Sequence, residues 1–258
     1  MAADLEITRL GEANGKGFEK VFAFLRERLL DGSLRPGDRL IPERELAAQL
    51  DVSRPILREA LRALTVLGVV EIRDRVGTVV RRPDLAVLND FFTFAFAQRA
   101  ELIEDVMQAR IAIECQAVRL ATQRATVLDL ERLKAALARI IETIDDPDLG
   151  GLADYEFHRT LVDAGKSETL VVLHNSLSGI LMISHRKRRE LLRSFASMKT
   201  YLIEDHGRIF DAVAARDPDR AEKVLREHFA IGDEYRRRAA LGERDGESAL
   251  QMTEQEAR

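Results

Sequence analysis

The sequence predicts a mainly α-helical protein in two parts, a small unit of three helices closed by a β-hairpin and a larger all-helical bundle. Three observations predict it. Apolar residues recur at helical spacing through most of the chain. The period changes to an extended one only at residues 69–81, in two β-branched runs. Arg81-Arg82-Pro83-Asp84 then breaks the pattern, and everything after it reads as helix.

Phe18, Val21, Phe22, Leu25 and Leu29 form the apolar stripe of the first helix, which Asp31-Gly32 ends. Arg35-Pro36-Gly37-Asp38 is a turn by composition. Pro42 opens a short helix from Glu43 to about Leu50, where its missing N–H lacks a helical partner anyway. Ser53 is a fitting N-cap for a third helix with Ile56, Leu57, Ala60, Leu61 and Leu64 as its stripe and Gly68 as its stop. Val69–Arg73 and Thr78–Arg81 then read as strands about the turn Asp74-Arg75-Val76-Gly77. Helices follow near 85–98, 100–124, 127–144, 152–164, 167–193, 197–215 and 218–239. The domains are expected at 1–82 and 83–241, with 242–258 a polar tail.

Composition narrows the function. The protein has 46% apolar and 33% charged residues, no uninterrupted apolar run long enough to span a bilayer, and no signal-peptide pattern in MAADLEITRL. Cys115 is its one cysteine, so no intramolecular disulfide forms. A cytoplasmic protein without membrane contact is expected. The net charge of −4 argues against nucleic acid, but its distribution does not. Residues 1–82 carry +2 and the rest −6, and residues 52–82 alone carry +4, with seven arginines. A basic patch on an acidic protein is an electrostatic footprint for nucleic acid.

In a helix-turn-helix the second helix lies in the major groove and directs its first side chains at base edges. Glu43 to Leu64 supplies the short helix, the tight turn and the basic start. Ser53, Arg54 and Arg58 occupy the first two turns of the second helix, and Arg44 begins the first. Arginine suits the task because its planar fork fits guanine O6 and N7 or a phosphate. A solvated basic helix face explains the same spacing equally well. The stretch GDRLIPERELAAQLDVSRPILREALRAL, Gly37 to Leu64, continued by LGVVEIR and RVGTVV, resembles the winged helix-turn-helix of GntR-family transcription regulators. That resemblance implies operator contacts by Arg44, Ser53, Arg54 and Arg58. Two departures stand out. Pro55 and Ile56 replace residues that are often small and polar, and the wing turn lacks its usual first glycine, where Arg75 offers a substitute contact.

The later helices hold a polar set. Asp154 and His158 share one helix face at i, i+4 spacing, His206 begins the segment HGRIF, and His228 lies in EHF. One Asp and three His suit a divalent transition metal, with zinc, nickel and manganese all compatible, although each residue alone is more often satisfied within a helix. FHRTLVDAG and HGRIFDAVAARDPDRAEKVLREHF resemble the ligand-sensing C-terminal (FCD) domain of the FadR-type GntR branch. The resemblance implies that Asp154, His158, His206 and His228 hold the metal. VMQARIAIEC is similar to the helix that opens this domain, which places Arg110 in the pocket as an anchor for a small carboxylate effector. The alternative for Arg110 is a surface pair with Glu114. His174 and His185 match no ligand position and read as surface or packing residues. The run His185-Arg186-Lys187-Arg188-Arg189 reads as a solvated face, and Phe91, Phe92, Phe94 and Phe96 as core or domain packing.

The resemblance covers roughly residues 17–241 and implies a homodimer on a near-palindromic operator in double-stranded DNA. Two competing classes are a metal-dependent hydrolase, for which no separate general base appears at defined spacing, and an effector-independent structural DNA-binding protein.

Overall fold

The computed structural model describes residues 2–83, 86–96, 102–191, 195 and 197–243. They fall into two compact units that divide between Val87 and Leu88. Of the expected polar tail, residues 244–258 lie outside the described residues.

In the first unit α1 (Ala2–Leu30), α2 (Glu43–Leu50) and α3 (Arg54–Val66) precede β1 (Val70–Arg73) and β2 (Gly77–Val80). The apolar stripes meet in one core: Val21 and Leu25 of α1, Leu46 of α2, and Leu57, Leu61 and Leu64 of α3 are buried together with Val70 and Val80. Burial of this surface, at about 25 cal/mol per Å², holds α2 and α3, of 8 and 13 residues, which would be marginal alone, against α1. Asp51 turns the chain between α2 and α3 in a left-handed conformation, φ 50°, which an Asp side chain tolerates. Ser53 is extended, and its Oγ accepts the Ile56 N–H at 3.4 Å, so α3 starts where a cap was expected. The strands are antiparallel, with Val70 opposite Val80 and Arg73 opposite Gly77. Leu40 adds to the ladder by donating its N–H to Thr78 O at 2.9 Å.

The second unit is helical: α4 (Ala86–Phe96), α5 (Leu102–Arg124), α6 (Val127–Glu142), α7 (Pro147–Ala164), α8 (Glu168–Ser176), α9 (Ser178–Glu190), α10 (Ser197–Ala214) and α11 (Pro218–Ala240). Helix α7 packs against α5, α6, α8 and α9, and α11 against α5 and α10. Phe157 and Leu161 of α7 meet Val118 of α5, Leu133 of α6, Ile209 of α10 and Leu225 of α11 in the main core. Because α7 is buried on most sides, Asp154 and His158 on it face protein rather than water, while Asp148, Glu156, Arg159 and Asp163 reach solvent. Among the described residues no helix is long and apolar enough to cross a membrane.

Three expectations change. Helix α7 starts at Pro147, not near 152, because Asp146 Oδ1 accepts the N–H groups of Asp148 and Leu149 at 2.9 Å each. Gly150 and Gly151 therefore lie inside a helix despite their poor propensity. Tertiary packing decides this: a Cβ on Gly151 would sit 2.9 Å from Arg186 Cα, so only glycine lets α7 approach α9 this closely. The long helix expected at 167–193 is two, broken at Leu177. Asn89 of α4 accepts the Gly179 N–H at 2.8 Å and the Ser178 hydroxyl at 3.1 Å, which caps the start of α9. Finally, Phe92 packs against the Val106–Leu181 cluster, whereas Phe91 and Phe94 are 62% and 76% exposed. Helix α4 gives only one face to the bundle, and those two share another. The side chain of Phe96 lies outside the described residues.

Candidate metal centre and nucleic-acid interface

Arg44, Ser53, Arg54, Arg58 and Arg75 are all exposed. Arg54, Pro55, Arg58, Glu59 and Arg62 line a shallow concavity on the free face of α3. Arg62 was not singled out from the sequence, although its i, i+4 and i, i+8 spacing from Arg58 and Arg54 places it on their face. Arg58 Nε donates to Glu43 Oε2 at 2.7 Å, linking the start of α2 to α3. The Ser53 hydroxyl serves the helix as its cap by accepting, which leaves its own proton available to donate. Arg75 stands at the tip of the hairpin with φ 61°, so the turn holds a left-handed residue without glycine.

The second unit carries its chemistry inside. Asp154 and His158 on α7, His206 on α10 and His228 on α11 are each at most 2% exposed. Each offers a ligand atom, and these atoms lie within 4.8 Å of one another. The Nε2 atoms of His158 and His206 both stand 3.4 Å from Asp154 Oδ1. Metal–ligand bonds of about 2.0–2.2 Å put two donors on one ion roughly 3.4 Å apart in tetrahedral geometry, so this spacing suits a shared cation.

The tautomers suit it too. His206 Nδ1 donates to the Leu202 carbonyl at 2.5 Å. His158 Nδ1 is 2.6 Å from Glu114 Oε2, and Glu114 is held ionised because Arg110 and His158 outweigh the opposing effect of burial. A carboxylate only accepts, so Nδ1 carries the proton and Nε2 presents its lone pair. Outer partners of this kind orient metal-bound histidines. Burial likewise opposes ionisation of Asp154, but His185, His158 and His206 prevail and keep it well below the usual carboxylate range. Burial pushes His206 below its ordinary value of 6.5, against Asp154, and pushes His228 well below it, helped by His206 and Arg188. An ionised Asp154 and, at His206 and His228, imidazoles that resist protonation are the states that a metal needs.

Both Asp154 oxygens and the Nε2 atoms of His158 and His206 are buried without a hydrogen bond of proper geometry. Such orphaned groups cost about 1–3 kcal/mol each unless something satisfies them. A divalent cation satisfies all four at once. The residues therefore fit a metal, with a mixed oxygen and nitrogen donor set suited to a first-row ion.

The structure corrects the reading of the surroundings. Arg110 does pair with Glu114, Nε to Oε1 at 2.6 Å, but both are fully buried and no surface pair exists. Arg110 Nη1 and Nη2 lack partners, and its Cζ lies 4.7 Å from the Phe229 ring centre. His174 and His185 are 1% exposed, not surface residues. His185 Nδ1 is 2.9 Å from Asp154 Oδ1, and His174 Nε2 is 3.3 Å from Glu114 Oε1. The basic run is no solvated face either: Arg188 and Arg189 are buried, with Arg189 Nη2 3.3 Å from Asp154 Oδ2. Arg186 and Lys187 alone of the run match the expectation. The signal for this was the i, i+3/i+4 spacing of 185, 188 and 189, which puts them on one face of α9. A cavity of about 680 Å³ adjoins this core, sharing Arg188 and Phe229 with it, a volume within the usual range for small-molecule sites.

The buried histidines predict a pH dependence for the metal-free protein. His185 is also held well below 6.5, by burial and Arg110. Below pH about 6.5 the unfolded chain takes up protons on His185, His206 and His228 that the folded chain refuses. Their contribution is therefore complete above that pH and is lost as pH falls, by up to about 1.4 kcal/mol per pH unit for each histidine. Urea unfolding of chelator-treated protein at pH 7.5 and 5.5 should show this decline, and equal stabilities would contradict it.

A helix-turn-helix with a basic exposed face, on one chain with a helical domain built round a buried polar site, defines a ligand-responsive DNA-binding regulator. Known proteins agree. Residues 18–80 match the bacterial regulatory proteins of the gntR family, and residues 105–230 match the FCD domain. The HTH-type transcriptional regulator LutR of Bacillus subtilis is 34% identical over 200 residues, 77% of this chain and 91% of that one. The HTH-type transcriptional repressor NanR of Klebsiella aerogenes is 30% identical, covering 84% of each chain. The putative L-lactate dehydrogenase operon regulatory protein of Escherichia coli is 29% identical, covering 83% of this chain and 82% of that one. A solved Streptococcus agalactiae GntR structure shares the fold with TM-score 0.59 at 22% identity, over 84% of this chain and 99% of that one. The chain belongs to the GntR family of transcription regulators, in its FadR-type branch with an FCD domain. It is a ligand-responsive DNA-binding regulator and not an enzyme.

Proposed function

We propose that the protein is a cytoplasmic homodimer that reads a near-palindromic operator and responds to a small organic acid held at a divalent metal. In this reading residues 1–82 are the DNA-binding domain and 83–241 the sensing and dimerisation domain. Arg44, Ser53, Arg54, Arg58 and Arg75 contact the operator, and Asp154, His158, His206 and His228 hold zinc, nickel or manganese. The metal, when bound, supplies Lewis-acid coordination for an oxygen ligand. Arg110 contributes an anchored guanidinium, positioned by Glu114, whose two free nitrogens fit a carboxylate bidentately.

The observation that carries the reading is the pairing, in one buried core, of a complete Asp and His donor set with an arginine whose terminal nitrogens lack partners. A cation would be repelled there, and a neutral apolar ligand would leave those groups unsatisfied. The Escherichia coli relative is named for an L-lactate dehydrogenase operon, and L-lactate is a small organic acid, which supports this reading. The effector must bind one arrangement of the DNA-reading units better than another, or it shifts nothing.

The test is calorimetry on metal-loaded protein with organic acids, sugars and acyl-CoAs, alongside operator-binding titrations. An organic acid should bind and change operator affinity. Arg110→Ala should weaken that binding by a few kcal/mol, the scale of a charge-assisted hydrogen bond lost from a buried site, and leave effector-free operator affinity unchanged. An active ligand without a carboxylate, or one that binds both proteins equally, overturns the assignment. Operator binding that no ligand alters favours the structural DNA-binding alternative.

A further inference from the structure

The buried core holds more positive charge than one carboxylate answers. Three guanidiniums enter it, from Arg110 on α5 and from Arg188 and Arg189 on α9, at 0%, 7% and 1% exposure. Two carboxylates, Glu114 and Asp154, face them. A third carboxylate, Asp205, lies 3.8 Å from His228 Nδ1 but pairs outward with Arg208 at 3.0 Å. The protein groups alone thus leave one positive charge in excess, and a divalent ion ligated by Asp154 raises the excess to three. Isolated charges in such surroundings are costly, and arginine does not relieve the cost by losing its proton at neutral pH.

The same groups carry atoms without a hydrogen-bond partner, although Arg110 faces Glu114 and Arg189 faces Asp154. Arg189 Nε, Nη1 and Nη2, both terminal nitrogens of Arg110, and both ring nitrogens of His174 and His185 are buried without a hydrogen bond. Arg188 Nη1 donates to His228 Nε2 at 3.2 Å, a bond that ligation of a metal through that nitrogen would remove. The crowding is felt by Arg188, whose pKa falls to about 10 through burial and then through Arg110. None of these groups belongs to the metal's own donor set, and Arg188 also lines the adjoining cavity.

Building on the organic-acid reading above, we propose that the effector carries at least two acidic groups, a small di- or tricarboxylic acid. One carboxylate meets the metal and Arg110, and Arg188 and Arg189, with His185 beside them, form a second anion subsite. A monocarboxylate fills the first position and leaves the second guanidinium pair bare.

L-Lactate, L-malate and citrate share an α-hydroxycarboxylate head and differ in the number of further carboxylates. They are therefore the probes for calorimetry on metal-loaded, full-length protein. Malate or citrate should bind at least tenfold more tightly than lactate. Arg189→Gln should remove that preference, bringing the affinities for malate and citrate down to that for lactate when all three are measured on the same metal-loaded variant. Should Arg189→Gln fail to fold, Arg188→Gln, whose residue also borders the cavity, should reduce the preference in the same direction. Lactate binding as tightly as malate and citrate, or a preference that survives both substitutions, overturns the second subsite and leaves the organic-acid reading standing. Binding of none of the three, with another class of compound active instead, overturns both.

Discussion

Stripping the metal from loaded protein should lower its melting temperature by roughly 8–16 °C. An ion present at a thousand times its dissociation constant adds about 4.1 kcal/mol to the folded state, and each kcal/mol moves the midpoint of a domain this size by about 2–4 °C. The expected gain is large because the donors are already assembled: His158 and His206 Nε2 stand 3.4 Å from Asp154 Oδ1 before any ion arrives. Asp154→Asn should abolish binding of about one metal per chain while nearly conserving volume. It should also destabilise the metal-free protein, since Arg189, 3.3 Å from Asp154 Oδ2, then loses its buried counter-charge. Breaking a buried pair from one side costs about 3–5 kcal/mol. Elemental analysis and thermal melts with added zinc, nickel and manganese decide the matter. No bound metal and no thermal response would refute the centre.

The second large effect concerns the operator. Arg54→Ala and Arg58→Ala should each weaken specific binding by about 1–3 kcal/mol where the contact is to a base edge. Arg58 is engaged in the free protein by Glu43, at 2.7 Å, with its side chain 56% exposed. A pair that exposed is worth about 0–1 kcal/mol, less than a bidentate guanine contact, so DNA displaces Glu43 rather than the reverse. Arg75→Ala at the exposed wing tip should act differently, lowering affinity for all sequences alike and reducing the salt slope by about one, as expected for a phosphate contact. Titrations at matched salt on folded protein measure both. Wild-type affinity in Arg58→Ala would remove that side chain from the interface.

The first unit was legible in the sequence because its signals are local. The stripe Ile56 to Leu64, the cap at Ser53, the Asp51 turn and the change of period after Gly68 each depend on neighbours within a few residues. The helices and strands they specify lie within about a residue of expectation. The four polar residues Asp154, His158, His206 and His228 were legible as a set only through the resemblance. Spacing related the first two alone, and the other pair arrive from α10 and α11 across the bundle.

What only the tertiary structure decided is which charges are inside. Glu114, His174, His185, Arg188 and Arg189 read as surface, pairing or packing residues because charged side chains are usually solvated, and only the resemblance put Arg110 in the pocket. Nothing within one helix records that α9 turns the face of 185, 188 and 189 toward α7. That orientation depends on Gly151 of α7, which lets α9 approach, and on Asn89, nearly ninety positions upstream, breaking the preceding helix at Leu177. Local periodicity specifies which faces of a helix are alike. Long-range packing, at about 25 cal/mol for each Å² removed from water, decides which of those faces is buried, and with it where the charges of this site stand.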